Sequence, residues 1–203
     1  TRARPPLMPG SPAGSTRLFG ALPELASIAE QIKAIPYQPI YTVYLQYPAQ
    51  VTLPQHPQGV RRGVPGGYAA TLPQAMLGFD RCHAQWLFDR GQIAAQHGLI
   101  AAVISAEGMH QELTHEQLAQ KVIAELREQL GITAQPLWHK VIAEKRATFA
   151  CEVGLNRPAH ATPLPRIFLA GDYTANDYPA TLEGAVISGI QSATQLLEAA
   201  RQN

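Results

Sequence analysis

The sequence predicts an α+β fold built around a mixed or antiparallel sheet with helices. Segments of strand and helix character follow one another without the regular alternation that a parallel βαβ arrangement needs. At 203 residues, of which 46% are hydrophobic, the chain is long enough for about one domain with a real core. A short apolar strand and a final helix at the C-terminal end stand apart from the rest, and we expect them to attach to something beyond the main sheet.

The first third of the chain predicts a loop, a helix and a strand. Residues 1–17 are rich in proline and glycine, which is typical of a loop or of disorder. Residues 22–34 carry apolar side chains at helical spacing, with Pro23 suited to a first turn and Pro36 to a stop. Residues 37–47 are aromatic and β-branched and predict a strand, whereas residues 48–74 predict an extended loop with a short strand at most.

The middle of the chain predicts a hairpin, a buried strand, a helix and a long strand. Residues 75–79 and 84–89 flank a polar turn and predict the hairpin, and the compact apolar run of residues 99–106 predicts the buried strand. Thr114 and Gln117 fit a capping box, so the clearest helix of the chain starts there and stops at Gly131. The long strand, or bent pair of strands, covers residues 137–150, and a proline-rich loop covers 152–165.

The C-terminal stretch predicts a place for a ligand. An apolar strand at residues 167–171 ends on the carboxylate of Asp172, and residues 181–199 predict the final helix. The first amides of a helix have no partners inside it, and the helix dipole adds partial positive charge there. This junction therefore suits a polar, electron-rich ligand. Gly184 and Gly189 remove side chains where a flat ligand or a neighbouring strand could come close.

Composition and spacing disfavour several other functions. A net charge of +1 gives nucleic-acid binding no electrostatic support. Cys82 and Cys151 lie far apart without a CxxC, so we expect reduced thiols in a cytoplasmic protein, with a disulfide as the less favoured alternative. No run approaches the roughly 18 apolar residues of a membrane-spanning helix. His110 and His115 lack the spacing of a metal site, and Ser105 lacks the G-x-S-x-G setting of a hydrolase.

The C-terminal stretch also carries a family resemblance. Residues 166–174 (RIFLAGDYT) and 178–189 (YPATLEGAVISG) resemble the C-terminal flavin-contacting motif of the FAD-dependent amine oxidase and carotenoid desaturase superfamily. Three further phrases resemble the squalene-associated desaturases, also described as hydroxysqualene dehydroxylases: QWLFDRG at 85–91, AVISA at 102–106 and EKRATF at 144–149. The resemblance covers residues 36–199.

This resemblance implies a domain organisation. Residues 21–160 would form the substrate-binding domain, and residues 161–203 would be a strand and helix of the FAD-binding domain. Residues 1–20 are expected to be a flexible or peripheral segment.

The resemblance also implies roles for individual residues. Asp172 would accept hydrogen bonds from the ribityl hydroxyls of FAD; its structural alternative is a turn residue. The amides of Thr181, Leu182 and Glu183 would face the pyrimidine edge of the flavin ring, with Leu182 acting through its backbone. The alternatives are that Thr181 only caps a structural helix and that Glu183 forms an ion pair.

Two further members of the predicted site are a glycine and a tyrosine. Gly171 would let the backbone approach the ligand. Tyr178, together with Tyr173, would wall the flavin or substrate cavity, although packing in the core explains both tyrosines equally well. Ser188 and Gly189 fit helix packing as well as they fit a cofactor contact.

Other notable residues have a structural explanation that the sequence favours. Trp86 and Phe88 alternate along one strand of the hairpin, which suits a lipid tunnel but is more often ordinary core. Lys145 and Arg146 interrupt an apolar strand, and ion pairs with Glu144 or Asp89 are favoured over substrate contact.

The sequence lacks one part of the superfamily pattern. Members carry an N-terminal G-x-G-x-x-G after the first strand, and VPGGY at residues 64–68 has neither that pattern nor its context. Because the chain also opens on Thr1 instead of Met, we expect a fragment whose missing N-terminal dinucleotide-binding domain holds the rest of FAD. The chain alone would then neither bind FAD tightly nor turn over.

The expected substrate is an isoprenoid lipid of the squalene or hydroxysqualene type. Such a substrate would suit a peripheral association with a membrane surface, although no basic amphipathic helix demonstrates one. The alternatives are a phytoene-type carotenoid desaturase, a flavin amine oxidase, and a module without redox chemistry that binds an apolar ligand or a protein partner. The resemblance identifies no catalytic acid or base.

Overall fold

The computed structural model of the chain describes residues 8–9, 19, 22–48 and 72–201. Within that part the secondary structure consists of seven strands, four α-helices and two short 3-10 turns. In chain order these are β1 (Met8–Pro9), a 3-10 turn (Pro23–Leu25), α1 (Ala26–Lys33), β2 (Tyr37–Gln46), β3 (Met76–Gly78), β4 (Trp86–Asp89), α2 (Arg90–Ala94), β5 (Leu99–Ser105), a second 3-10 turn (Met109–Glu112), α3 (His115–Leu130), β6 (Trp138–Phe149), β7 (Leu169–Ala170) and α4 (Leu182–Arg201).

The chain divides into two compact units. One unit is Gln38–Ala147, and the other combines Thr1–Tyr37 with Thr148–Asn203. The divisions fall within β2 and β6, whereas the sequence predicted boundaries at residues 20/21 and 160/161. The assignment of substrate and cofactor domains remains a prediction.

Five strands form an antiparallel sheet in the order β3-β4-β5-β2-β6. The pairs β3–β4, β4–β5 and β5–β2 are antiparallel. The N–H of Leu137, before β6, bonds to the carbonyl of Gln46 at the end of β2, and the N–H of Ala150, after β6, bonds to that of Pro36, before β2. Each of these bonds joins the start of one strand to the end of the other, so β2 and β6 also run antiparallel. The predicted α+β class is confirmed, with an antiparallel sheet.

The core of the unit Gln38–Ala147 lies between one face of this sheet and α3. Tyr41, Val43 and Leu45 alternate along β2 and are buried, as period-two burial requires. Helix α3 covers them with an apolar face: Leu118, Ala119, Val122, Ile123 and Leu126.

Helix α3 starts and stops where the sequence predicted. The Thr114 hydroxyl accepts the Gln117 N–H at 3.2 Å, and the Gln117 side-chain carbonyl accepts the Thr114 N–H at 2.9 Å. Gly131 then ends the helix with a φ of 67°, a conformation that glycine adopts without steric cost.

The unit that contains both ends of the chain has a second core. The predicted helix at 22–34 is present as a 3-10 turn followed by α1. Its buried residues Leu25, Ala29 and Ile32 share a cluster with Phe149 and Leu169.

The structure adds two features to residues 1–20, for which we expected a flexible or peripheral course. Met8 and Pro9 form β1 and pair in parallel with Leu169 and Ala170 of β7, so the loop predicted over residues 1–17 is wrong at these two positions. The missing N–H of Pro9 is tolerated because a two-stranded ladder consists only of edge strands. Phe19 is fully buried in the second core. The rest of the segment lies outside the described residues.

Two details differ from the sequence-based expectation. The strand predicted over 167–171 is confined to Leu169–Ala170, with one bridge between Phe168 and Ala161. Helix α2 was not predicted: Asp89 caps it by accepting the N–H groups of Gly91 at 2.8 Å and Gln92 at 3.2 Å. The long strand predicted over 137–150 is confirmed as a single strand, β6, over Trp138–Phe149. Most of the loop predicted over 48–74 lies outside the described residues.

No helix in the described part of the chain is both long and apolar enough to cross a bilayer.

Candidate functional site

The predicted ligand-binding residues lie on the segment between β7 and α4 and in the first turn of α4. This segment runs from Gly171 to Thr181 without regular secondary structure. The side chain of Thr174 ties it back on itself, since its hydroxyl donates to the Gly171 carbonyl at 2.8 Å. Its second half leads through Tyr178 and Pro179 into the first turn of α4.

Position 171 requires a glycine because the ring of Tyr173 occupies the space that a side chain would need. A Cβ atom at this position would lie 2.5 Å from Cε1 and 2.8 Å from Cδ1 of Tyr173, a separation that real side chains do not show. The Gly171 N–H donates to the Ser188 hydroxyl at 3.0 Å, and its carbonyl accepts from Thr174. The space that the sequence assigned to an approaching ligand is therefore filled by the Tyr173 ring, which is fully buried in the core.

Asp172 is a half-buried carboxylate. Burial raises the pKa of its carboxyl group above the usual value, and the main-chain amides of Tyr173 and Asp172 and the charge of Arg157 partly offset that rise. A carboxylate that is partly desolvated and not fully compensated can accept hydrogen bonds from an added polar ligand. Asp172 is thus the residue of this segment whose chemistry best fits a ligand.

Arg157 holds the segment in place, although no sequence pattern marks it as a functional residue. One guanidinium nitrogen, Nη1, donates to the carbonyls of Asp172 at 3.3 Å and Tyr178 at 2.9 Å. The other, Nη2, donates to the carbonyl of Asn176. The guanidinium carbon lies 5.3 Å from the centroid of the Phe149 ring, within range of a cation–π contact. No local pattern marks a residue that contacts carbonyls 15 to 21 positions away.

Tyr178 connects this segment to α4. Its N–H donates to the Asn176 side chain at 2.8 Å, and its ring is exposed, which disfavours the core role that the sequence left open. A Cβ at Gly184 would lie 3.1 Å from the Tyr178 Cβ and 3.3 Å from the Thr181 hydroxyl oxygen. Gly184 therefore allows the turn at residues 178–181 to lie close against the first turn of the helix.

Thr181 caps α4. Its hydroxyl accepts the Gly184 N–H at 3.1 Å and donates to the Pro179 carbonyl at 3.2 Å. The N–H groups of Leu182 and Glu183 are the ones that a helix leaves without an internal partner, and both residues are exposed. Thr181 thus has the capping role, while the two following amides stay available to an external acceptor.

A buried polar cluster lies under the junction of β7 and α4. The hydroxyls of Thr174 and Ser188 are 2.6 Å apart. The Ser192 hydroxyl donates to the Leu169 carbonyl, and Nδ1 of His160 lies 3.3 Å from both that carbonyl and the Ser192 hydroxyl. These contacts fix β7 on α4, so Ser188, whose role the sequence left open, has the packing role. A Cβ at Gly189 would meet open space.

The sheet face that α3 does not cover is partly apolar and open. Trp86 is 44% exposed and Phe88 is half-buried, while Leu87 between them is fully buried in the core. Trp86 pairs with Gly78, and its ring lies 3.1 Å from the position of a Gly78 Cβ. The ordinary-core interpretation that the sequence favoured is therefore wrong for Trp86.

Strand register continues this face across neighbouring strands, although Ala101 on β5 is itself buried. Phe88 pairs with Met76 on one side and with Ala101 on the other, and Ala101 pairs with Tyr44. Met76 is also about half exposed, so the face presents large apolar groups over three strands.

Several other predicted partners have different roles. The carboxylate of Asp89 accepts amides of Leu72, Gly91 and Gln92, which makes it a structural cap instead of a partner for Lys145 or Arg146. Glu144 accepts the backbone N–H of Arg146 at 3.2 Å. Cys82 and Cys151 are free thiols, as predicted. Across the described ranges, no three His, Cys, Asp or Glu side chains are grouped in a way that could hold a metal ion.

The chain matches one known protein family over most of its length. The profile of the family described as "Flavin containing amine oxidoreductase" matches residues 9–197, which is nearly the whole sequence. The chain belongs to this family. The predicted membership in the flavin amine oxidase superfamily is thereby confirmed.

The curated relatives that the chain matches include hydroxysqualene dehydroxylases and zeta-carotene desaturases. The chain is 36% identical over 120 residues to a hydroxysqualene dehydroxylase of Rhodopseudomonas palustris, which covers 58% of the chain and 27% of that relative. It is 33% identical over 130 residues to a hydroxysqualene dehydroxylase of Zymomonas mobilis, covering 63% and 29%. A zeta-carotene desaturase of Synechocystis sp. is 30% identical over 103 residues, covering 49% and 21%. The chain thus matches between a fifth and a third of the length of these relatives.

A solved structure shares the fold. A crystal structure assigned as a protoporphyrinogen oxidase from Exiguobacterium sp. 255-15 superposes with a TM-score of 0.60 at 16% identity. It covers 95% of this chain and 40% of the other. At this identity the likeness shows the fold alone.

The residues of the segment fit the flavin of this family in part. Asp172 offers a half-buried acceptor, and the Leu182 and Glu183 amides offer two donors. The buried ring of Tyr173 above Gly171 shows that this glycine serves packing within the chain.

Proposed function

We propose that this chain is part of an FAD-dependent oxidoreductase that acts on an apolar isoprenoid substrate of the squalene or hydroxysqualene type. The observation that carries the proposal is the half-buried Asp172 carboxylate on the segment that leads into α4, in a chain that the flavin-containing family matches over residues 9–197. The names of the hydroxysqualene dehydroxylase relatives supply the substrate class.

Each residue of the proposed flavin site has a role that its chemistry allows. Asp172 accepts hydrogen bonds from the ribityl hydroxyls. The amides of Leu182 and Glu183 face the N1–C2=O edge of the ring, where the positive end of the α4 dipole contributes about 0.3–1 kcal/mol, and roughly 2 kcal/mol when partly buried. Thr181 holds these amides in place through its cap. The redox chemistry is supplied by the flavin when it is bound.

The open sheet face supports an apolar substrate. Trp86 and Met76 expose large apolar surface, and Phe88 and Tyr44 continue it across the sheet. An isoprenoid chain lying on such a face would bury apolar area on both sides, with a gain of about 25 cal/mol per Å². We assign this face to the substrate and the unit Gln38–Ala147 to the substrate-binding domain.

The FAD site is then divided between two lengths of sequence. The chain lacks a G-x-G-x-x-G, so we assign the pyrophosphate and adenosine subsites to an N-terminal dinucleotide-binding domain outside this sequence. The 203-residue chain by itself then does not hold FAD tightly and does not turn over. A purified 203-residue protein with the absorption band of bound flavin would contradict this part.

The test uses the complete gene product that contains this chain. We expect it to purify with bound flavin and to convert hydroxysqualene, measured by mass spectrometry of the extracted lipid under anaerobic and aerobic conditions. Asp172→Ala should lower flavin content, whereas Asp177→Ala, an exposed neighbour on the same segment, should not. A complete gene product that contains no flavin and still binds isoprenoids would support a non-redox module and overturn the proposal.

A second candidate substrate has its own support. The zeta-carotene desaturase relative covers about half of the chain at 30% identity, within a few per cent of the hydroxysqualene dehydroxylases. The same assay with phytoene and zeta-carotene separates the candidates, because desaturation yields a longer conjugated system and a visible absorption band. Conversion of a carotene in place of hydroxysqualene would move the chain to the carotenoid branch.

A further inference from the structure

The path of residues 172–178 depends on one cation outside the segment. Three of its carbonyls, those of Asp172, Asn176 and Tyr178, converge on the guanidinium of Arg157. Because the segment has no regular secondary structure, these carbonyls have no ladder to satisfy them. A guanidinium presents five donors in a rigid fork, which allows one side chain to hold several acceptors in fixed relative positions.

The guanidinium itself is well fixed. The ring of Phe149, a buried member of the second core, lies 5.3 Å from the guanidinium carbon. The adjacent residue, Pro158, accepts the N–H of Ala175 at 2.9 Å, so the backbone next to Arg157 also contacts the segment. Arg157 and Pro158 therefore both hydrogen-bond to the segment and together hold its middle residues in place.

We propose that Arg157 is a positioning residue for the ligand-binding segment: by holding the carbonyls of Asp172, Asn176 and Tyr178 it sets the direction of the Asp172 carboxylate and the approach of the chain to α4. This inference rests on the proposed flavin site. Arg157 contacts main-chain oxygens, so it acts on a ligand through Asp172 and the turn at residues 178–181.

The first test needs no flavin. In the 203-residue chain, Arg157→Met removes the charge and the fork, while Arg157→Lys keeps the charge and loses the fork. Hydrogen exchange of the amides in residues 172–178 should accelerate about ten- to a hundredfold in Arg157→Met, the range that corresponds to losing a hydrogen bond to a charged group. Arg157→Lys should recover only part of the protection. Arg201→Met, an exposed arginine of the same unit, is the control and should leave these amides unchanged.

The second test separates positioning from folding. In the complete gene product, flavin dissociation constants are measured for wild type, Arg157→Met, Asp172→Asn and the double variant. Arg157→Met should weaken flavin binding about tenfold in the wild-type background and much less in the Asp172→Asn background, because the two residues act on one contact. Thermal midpoints of all four proteins show whether each remains folded.

The results of the exchange and flavin-binding experiments decide whether Arg157 is a positioning residue. Equal losses in both backgrounds, or no loss, would overturn the positioning role, and so would unchanged exchange in residues 172–178. If the wild-type protein bound no flavin, the proposed function and the positioning role would both fall. The exchange data would then still show whether Arg157 orders the segment for structural reasons alone.

Discussion

Asp172 and Gly171 are adjacent, yet the structure accounts for them differently. Gly171 is explained inside the chain, by the Tyr173 ring that occupies its Cβ position. Asp172 is not: burial raises the pKa of its carboxyl group, and the neighbouring amides and Arg157 compensate for that only in part. A group that costs stability in the folded chain is typical of a binding site, where a ligand supplies the missing interaction.

The raised pKa of Asp172 predicts a pH dependence of stability. Its folded-state pKa lies above the ordinary value of 3.8, so the folded chain binds the proton more tightly than the unfolded chain. The carboxyl group then costs nothing below pH 4 or so, and stability is lost as the pH rises through the folded-state pKa. Without flavin, Asp172→Asn should therefore have a higher thermal midpoint than wild type at pH 7, and the two midpoints should converge near pH 4.

The control for this prediction is Asp177→Asn, which changes an exposed carboxylate on the same segment. Its midpoint should follow that of wild type at every pH. An Asp172→Asn variant that is less stable than wild type at pH 7 would show that the amides and Arg157 outweigh the burial of the carboxyl group.

At the scale of secondary-structure elements, the junction of β7 and α4 has two kinds of contact. Some follow from a local sequence pattern, and others join residues that no local pattern connects. Thr181 and Gly184 follow the usual chemistry of a helix start. Ser188 and Ser192 lie one and two turns further on; Ser188 bonds to Gly171, just after β7, and Ser192 bonds to Leu169 of β7. The small residues of α4 thus serve two purposes, a close turn at its start and a strand contact along its side.

The surroundings of Gly171 and Gly189 predict opposite effects on stability when each is replaced by alanine. Gly171→Ala places a Cβ 2.5 Å from Tyr173 and should destabilise the chain by about 1–3 kcal/mol, the usual cost of overpacking. Gly189→Ala, on α4, meets open space and should stabilise the helix by about 0.5–1 kcal/mol. Urea unfolding monitored by circular dichroism measures both. A neutral Gly171→Ala variant would indicate that the Tyr173 ring can move aside.

At the scale of the whole molecule, the part of the chain that the structure describes has two separate clusters of buried residues. One lies between the five-stranded sheet and α3 and includes Leu126, and the other surrounds α1 and β7 and includes Leu25. The two units of the chain each contain one cluster. Because stability in proteins is often distributed over cooperative parts, each cluster should protect its own amides.

A pair of cavity-creating substitutions tests this independence. Leu126→Ala and Leu25→Ala should each cost about 2–5 kcal/mol in the unit that contains the residue. Hydrogen exchange should accelerate mainly in residues 38–147 for Leu126→Ala and mainly in the other unit for Leu25→Ala. Leu137→Ala and Leu197→Ala are exposed controls, one in each unit. Equal acceleration in both units would show that the chain unfolds as one cooperative body.

The local elements of this protein follow from the sequence alone. The capping box of α3, the stop at Gly131, the alternation of β2 and the hairpin of β3 and β4 all depend on residues within a few positions of one another. The family resemblance likewise depended on short phrases, and the family match over residues 9–197 confirmed it.

Contacts between residues far apart in the chain, and the exposure of individual side chains, depend on the tertiary structure. The pairing of Met8–Pro9 with β7, the hold of Arg157 on three carbonyls, the exposure of Trp86 and the use of Asp89 as a cap all join or separate residues by position in space. Periodicity and capping patterns report a residue's immediate neighbours, because they follow from backbone geometry over one or two turns. A guanidinium that satisfies carbonyls 15 to 21 residues away follows from how the whole unit packs, and no local pattern contains that information.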